Sequence, residues 1–441
     1  MNHQPLGGAG TSPRLSVKLL VVAGGVLAGL LIFELALRLA GYTYPVFYAP
    51  DAARGWSLRP GVEGWYRKEG EAYIRVNSDG LRDREHARPK PPDTLRVAVL
   101  GDSYAEALQV EQEKAFWSVM EARLQGCGGF GGKKVEVINF GVSGYGTAQE
   151  LLTLREKVWD YSPDVVLLAV TTNNDLIDNS RALKGTDEIP YFAFRDGQLV
   201  PDDSFRDNPA FRWRQSALSR AGRWLRENLR FVQSVHQSHG ALKSALDAYR
   251  DRRADVTREG ARSNSAAAAA SPDKDIPATA EQPPQQKEAR PAPLDEPGVA
   301  NAVYREPSDA AADAVWKESW QVTEALIALL HDEVERHGVK FMAVTLSNPI
   351  QVHPDASARA AFMRRIGVED LFYPDRRFRA LGQREGFKVF NLAPAFQLYA
   401  DQHKVFLHGF GHEMGNGHWN ETGHALAGDL IAPELCRVAS D

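Results

Sequence analysis

The stretch "RVAVLGDSYAEALQV", residues 96–110, decides how the rest of the chain is read. Its first five residues are strand-like and mostly apolar, the backbone then turns at Gly101-Asp102, and a helical pattern begins at Ser103. A serine there stands at the carboxyl end of a buried strand and beside a helix N-terminus. Open α/β sheets bind their ligands at that place, and backbone N–H groups there favour developing negative charge. Taken alone, Ser103 reads as readily as a helix N-cap, because Ser and Asp are favoured caps.

Similar strand-like runs recur at 134–141, 163–171, 339–347 and 387–394, with helical stretches at 113–125, 148–161 and 308–336. Alternating strand and helix signals predict a mostly parallel sheet covered by helices on both faces. Three further blocks fall at strand ends. "INFGVSGYG" (138–146) is a glycine-rich turn where backbone amides approach a ligand closely. "TTNNDLIDN" (171–179) offers the Asn174 amide, or else a helix cap. "HGFGHEMGNGHWNETGHALAGDL" (408–430) supplies His418 as a general base. Its four histidines, 408, 412, 418 and 424, sit largely on a glycine-rich loop without the ligand cluster of a metal centre, so neither metal nor cofactor is expected.

Together, the four blocks resemble the SGNH (GDSL) hydrolase superfamily. The resemblance implies a three-layer α/β/α flavodoxin-like fold with about five parallel strands, and it carries the nucleophile onto Ser103 and the base onto His418. It places the oxyanion hole at the Ser103 and Gly144 amides and the Asn174 side chain. Two positions depart from the family pattern: Thr172 stands where a glycine is usual, and Gly415 where the family has the Asp that orients the histidine. Glu413 is the expected third member, with Asp401 or a backbone carbonyl as alternatives. The same topology starts the helix after Ser103 and the last helix at one sheet edge, which leaves Cys127 and Cys436 either as a disulfide or as two free thiols.

The chain has 441 residues, 43% hydrophobic and 25% charged, with a net charge of −5. No basic footprint for nucleic acid exists. Residues 19–33, "LLVVAGGVLAGLLIF", carry no charge, and the apolar run extends past Glu34 and Arg38 to a membrane-spanning length. Arg14 and Lys18 precede it, and small-residue cleavage positions are lacking after it. The expected organisation is a cytoplasmic N-terminus (1–18), an uncleaved inner-membrane anchor (19–42) and a lead-in with short strands (43–94). The hydrolase domain (95–441) follows, periplasmic or extracellular. An insertion at 180–307 has a helical part (211–250) and a disordered part (251–303) without aromatics. Within it, "FRWRQSALSRAGRWLRENLRF" (211–231) has six arginines and one glutamate, and reads as a membrane-surface helix, a lid or a solvated helix.

The expected activity is a membrane-anchored serine esterase cleaving an acyl ester, first an O-acetyl group on a carbohydrate or other envelope substrate. The alternatives are an O-acetyltransferase working with envelope polysaccharide machinery, and a non-catalytic glycan-binding module on a degenerate scaffold.

Overall fold

The computed structural model describes residues 15–238 and 301–440. The sequence expectations for residues 1–14, and those for the insertion over 239–300, including most of its disordered part, lie outside the described residues. Contacts divide the chain into two units. The described part of the first comprises residues 15–44 and 221–238, and that of the second residues 45–220 and 301–440.

In the first unit, α1 (Leu15–Leu39) is a 25-residue helix with no buried residue, long and apolar enough to cross a membrane.

The second unit opens with two antiparallel hairpins, β1 (Tyr48–Asp51) with β2 (Gly55–Leu58) and β3 (Glu63–Tyr66) with β4 (Ala72–Arg75). After β4 the stretch Ser78-Asp79-Gly80 makes a turn and leads into an irregular run up to β5. Then come β5 (Thr94–Gly101), α2 (Ser103–Glu106), α3 (Phe116–Leu124), β6 (Lys134–Asn139), α4 (Thr147–Glu156), β7 (Val165–Thr171) and α5 (Asn174–Asp178). The insertion contributes α6 (Arg181–Lys184), β8 (Tyr191–Arg195), β9 (Gln198–Asp202), α7 (Pro209–Gln215) and α8 (Ala217–Asn228), whose residues from Ala221 onward belong to the first unit. After it come α9 (Ala314–Arg336), β10 (Lys340–Leu346), α10 (Ala356–Ile366), α11 (Tyr373–Glu385), β11 (Lys388–Asn391), α12 (Leu392–His403) and α13 (Glu421–Ser440).

Five strands pair in parallel in the order β11-β10-β7-β5-β6. Renumbered within the sheet this is 2-1-3-4-5, the flavodoxin-like winding expected of an SGNH hydrolase, with its switch point between β5 and β7. The middle strand β5 is buried along its whole length, and its side chains alternate between two cores. Val97 and Val99 join Phe116, Met120, Ile431 and Leu435 from α3 and α13, while Ala98 and Leu100 join Leu151, Leu326 and Phe378 from α4, α9 and α11. The result is a three-layer α/β/α sandwich. Because α3 and α13 cover the same face, Cys127 just beyond α3 meets Cys436, and the two are disulfide-bonded with Cα atoms 6.1 Å apart. A bridge between residues so distant in sequence adds up to about 5 kcal/mol in the chain-entropy account.

A smaller third core joins the hairpins to the sheet edge. Leu58, Val62, Ala72 and Ile74 pack with Leu108, which follows β5, and with Val142 and Tyr145, which follow β6. This packing brings the lead-in segment to the loops that carry the site.

Candidate active site

At the end of β5 the chain caps a helix, but the cap is Asp102 and not Ser103. The Asp102 carboxylate accepts from the Tyr104 N–H at 3.0 Å, which leaves the Ser103 hydroxyl to other work. Ser103 Oγ lies 2.8 Å from His418 Nε2. That is the nucleophile–base distance that proton transfer requires.

His418 Nδ1 faces neither Glu413 nor Asp401. It lies 2.6 Å from Oε2 of Glu69, and the His418 backbone N–H donates to Oε1 of the same carboxylate at 2.6 Å. The expected third members are therefore corrected by position. Glu413 is exposed on a short 3-10 turn, and Asp401 is held bidentately by Arg359 at 2.9 Å on both sides. Gly415, at the family's Asp position, has φ +89°, and a Cβ there would stand 2.9 Å from the Phe406 ring. No carboxylate fits on that residue without moving the loop.

Glu69 belongs to the turn between β3 and β4, "RKEGE" (67–71). Gly70 follows it at φ +69°, and an added Cβ would meet the Gln109 carbonyl at 2.3 Å. Gly417 precedes His418 at φ +70°, and an added Cβ would meet Glu69 Oε1 at 2.2 Å. The approach of carboxylate to histidine thus needs glycine on both sides of the contact. Burial works against the charge on Glu69, yet the hydrogen bonds and the attraction of His418 outweigh it, and the carboxyl is held below its usual range. A carboxylate so placed orients the imidazole with its proton on Nδ1 and stabilises the imidazolium formed when Nε2 takes the serine proton.

The loop before His418 is buttressed from inside. Burial drives His408 down to about 3, so it is neutral. Its Nδ1–H donates to the Gly417 carbonyl at 2.8 Å, and its Nε2 accepts from Ser347 Oγ at 3.0 Å. Ser347 Oγ in turn accepts from Trp419 Nε1 at 2.9 Å. Of the other two histidines in the block, His424 is buried against Phe116 and His412 is exposed, so the four go to separate places.

The proposed oxyanion donors converge at the same sheet edge. Asn174 follows β7 and is not the cap of α5. One hydrogen of its Nδ2 goes to Asp102 Oδ2 at 2.8 Å, which leaves the second for a ligand. Thr172 is also used: its Oγ1 accepts from Asn348 Nδ2 at 3.1 Å. Gly144 follows β6 at φ +77°, and among the described residues no hydrogen bond takes up its amide. The Ser143–Gly144 peptide is fixed from outside. Trp56 Nε1 donates to the Ser143 carbonyl at 3.1 Å, and because C=O and N–H of one trans peptide point opposite ways, this bond aims the Gly144 N–H. Glu106 accepts from the Ser143 N–H at 2.5 Å and from the Tyr48 hydroxyl at 2.9 Å, and burial pushes its carboxyl up despite those donors.

Of the residues expected from the sequence, Ser103, His418, Gly144 and Asn174 are brought to one edge, and Glu69, Trp56 and Tyr48, which the sequence reading did not single out, stand beside them. A usable signal for Glu69 is the unfilled Asp position at 415, which leaves the orienting group to come from elsewhere in the chain.

No protein-family profile matches the chain, and no curated protein matches it. Among solved structures it is similar to an acetyl xylan esterase (11% identity, TM-score 0.34, covering 77% of this chain and 100% of that one). It is also similar to an acetylxylan esterase from Geobacillus stearothermophilus (12%, TM-score 0.33, covering 78% and 94%). A lipolytic protein of the G-D-S-L family from Desulfitobacterium hafniense is similar at 10% identity and TM-score 0.32, covering 77% and 98%. Likenesses at this level say nothing of activity or substrate, which the site's own geometry has to support.

Proposed function

We propose that the chain is a membrane-anchored serine esterase of the SGNH type that cleaves an acyl ester, with an O-acetyl group on an envelope carbohydrate as the first substrate class. The observation that carries this reading is the continuous line Ser103 Oγ to His418 Nε2, then His418 Nδ1 to Glu69, at 2.8 and 2.6 Å.

In this mechanism Ser103 Oγ attacks the acyl carbon while His418 Nε2 takes its proton. The negative charge formed on the carbonyl oxygen meets the Ser103 and Gly144 amides and the free hydrogen of Asn174. Each such donor is typically worth about 3 to 4 kcal/mol in the transition state. The ester C–O bond breaks, the leaving alkoxide takes the proton from His418, and an acyl-enzyme remains. A water, deprotonated by His418, then attacks the acyl carbon, the bond to Ser103 Oγ breaks, the serine takes the proton back from His418, and the acid leaves.

Glu69 supports catalysis over the reading of a degenerate binding module, since it offers His418 the carboxylate that position 415 lacks. The apolar helix α1 supports an anchor, with the second unit outside the cytoplasm.

The test is turnover of a chromogenic acetyl ester by the detergent-solubilised chain, together with labelling by a fluorophosphonate. The wild-type protein turns over the ester and is labelled at Ser103, and Ser103→Ala abolishes both. Turnover retained in Ser103→Ala overturns the mechanism.

A further inference from the structure

On α8, at 100° per residue, Leu218, Ala221, Gly222, Trp224 and Leu225 fall on one side and Ser219, Arg220, Arg223, Arg226 and Glu227 on the other. The exposure is inverted relative to a helix on a soluble protein. Leu218 is 67% exposed, Trp224 58% and Leu225 44%, while Arg223, Arg226 and Glu227 are only partly exposed. A helix that turns its leucines and tryptophan outward has an unfilled apolar partner.

The C-terminal end of α8 is tied to one place on α1. Arg38 Nη2 donates to the Asn228 carbonyl at 2.5 Å, which satisfies a carbonyl at the C-terminus of α8. Glu34 Oε2 accepts from the Phe231 N–H at 2.9 Å, at the start of the helical stretch 230–238. The two side chains are themselves paired, Arg38 Nε to Glu34 Oε1 at 2.7 Å, and Gln233 Oε1 accepts from the Tyr44 N–H at 3.0 Å. The ion pair bridges the break between two helices and meets its own hydrogen-bonding needs in doing so.

That position has a depth. At 1.5 Å per residue Arg38 lies about 17 Å beyond the middle of α1, and the hydrocarbon core of a bilayer extends about 15 Å from its centre. The end of α8 is therefore tied at the level of the lipid headgroups. Its polar side carries the exposed Arg220, which suits anionic headgroups, and its apolar side carries the tryptophan and leucines that favour the acyl boundary. The segment 251–303 has no aromatic residue and few aliphatic ones with which to cover such a face.

We infer that α8 is an interfacial helix, with Leu218, Trp224 and Leu225 in the outer leaflet of an anionic bilayer and the Glu34–Arg38 pair as its tie to the span. The inference rests on the anchor reading of α1.

The test places a nitroxide label on single cysteines in the full chain, reconstituted into mixed phosphatidylcholine and phosphatidylglycerol vesicles. The native cysteines are bonded to each other and do not compete for the label. Leu225→Cys and Glu227→Cys read the two sides of α8, and Leu27→Cys reads the middle of α1. The expected result is that collisions with oxygen outweigh those with a water-soluble nickel chelate at residue 225, several-fold more than at residue 227. Equal nickel access at 225 and 227 overturns the inference, as does shielding of 225 from both reagents, which assigns the face to protein cover. The Leu27 label separates the two readings: lipid exposure at 27 with water exposure at 225 rejects the surface helix alone, and water exposure at 27 rejects the anchor.

Discussion

Ser103, Gly144 and Asn174 each stand within a few residues of the end of a parallel strand, whereas Glu69, Trp56 and Tyr48 come from two short hairpins that share no strand with the sheet. The first group is placed by backbone: strands β5, β6 and β7 are in register, and their ends converge whatever the loops do. The second group is placed by side-chain contacts across long sequence distances, Glu69 meeting a histidine 349 residues away. The sheet has two large cores behind it and the hairpins one small one. Stability is therefore uneven, and the hairpins are the part expected to open first. In the proposed mechanism the sheet edge brings the serine, the histidine and the amide donors together and the lead-in segment holds His418 and the Ser143–Gly144 peptide, so loosening the hairpins is expected to lower the rate without unfolding the domain.

The largest expected effect on the sheet side is at the oxyanion donor. Asn174→Ala should lower kcat for an acetyl ester by about a hundredfold to a thousandfold, with KM little changed, because the lost interaction forms only in the transition state. A loss confined to KM would place Asn174 in ground-state binding instead.

A smaller effect is expected on the hairpin side. Trp56→Phe removes the N–H that holds the Ser143 carbonyl together with the outer indole atoms beside Gly144, and the lost neutral hydrogen bond alone corresponds to roughly a tenfold loss in kcat. Unchanged kcat would show that Glu106 alone fixes that peptide.

The smallest effect concerns stability behind the sheet. Burial lowers His424 to about 3, against an unfolded value of about 6.5. The folded state therefore binds fewer protons between those limits, and the neutral histidine's stability is present above about pH 6.5 and lost as pH falls toward about 3. His424→Leu removes that dependence. The melting temperature of the parent should fall toward that of the variant as pH drops from about 7 to about 4, and a constant gap would contradict the assignment.

The sheet was legible because β5, β7 and β10 are continuous buried runs with helices between them, a pattern few other folds produce. Ser103, Gly144 and Asn174 were legible because each sits in a short block next to a strand end, and His418 because its block carries the resemblance, although it lies on the loop between α12 and α13. Glu69 was not: a lone glutamate in a charged turn looks like a solvated turn, and no spacing rule links residue 69 to residue 418. Glu413 and Asp401 lie closer to His418 in sequence but turn to solvent and to Arg359. The β8–β9 hairpin was also passed over, although its Asp196-Gly197 pair, both at positive φ, is the two-residue loop that such hairpins prefer. Inside an insertion read as helix and disorder, the short signal went unused.

The claim that the hairpin supplies the carboxylate that orients His418 is tested most directly by measuring kcat for an acetyl ester in Glu69→Gln beside Glu413→Gln. The glutamine keeps the size of the side chain but cannot hold the imidazolium. The account predicts a loss of about a hundredfold to ten-thousandfold for Glu69→Gln, with Ser103 still in place, and no loss for Glu413→Gln. A Glu69→Gln protein that turns over ester at the parent rate, or a Glu413→Gln protein that does not, would contradict it.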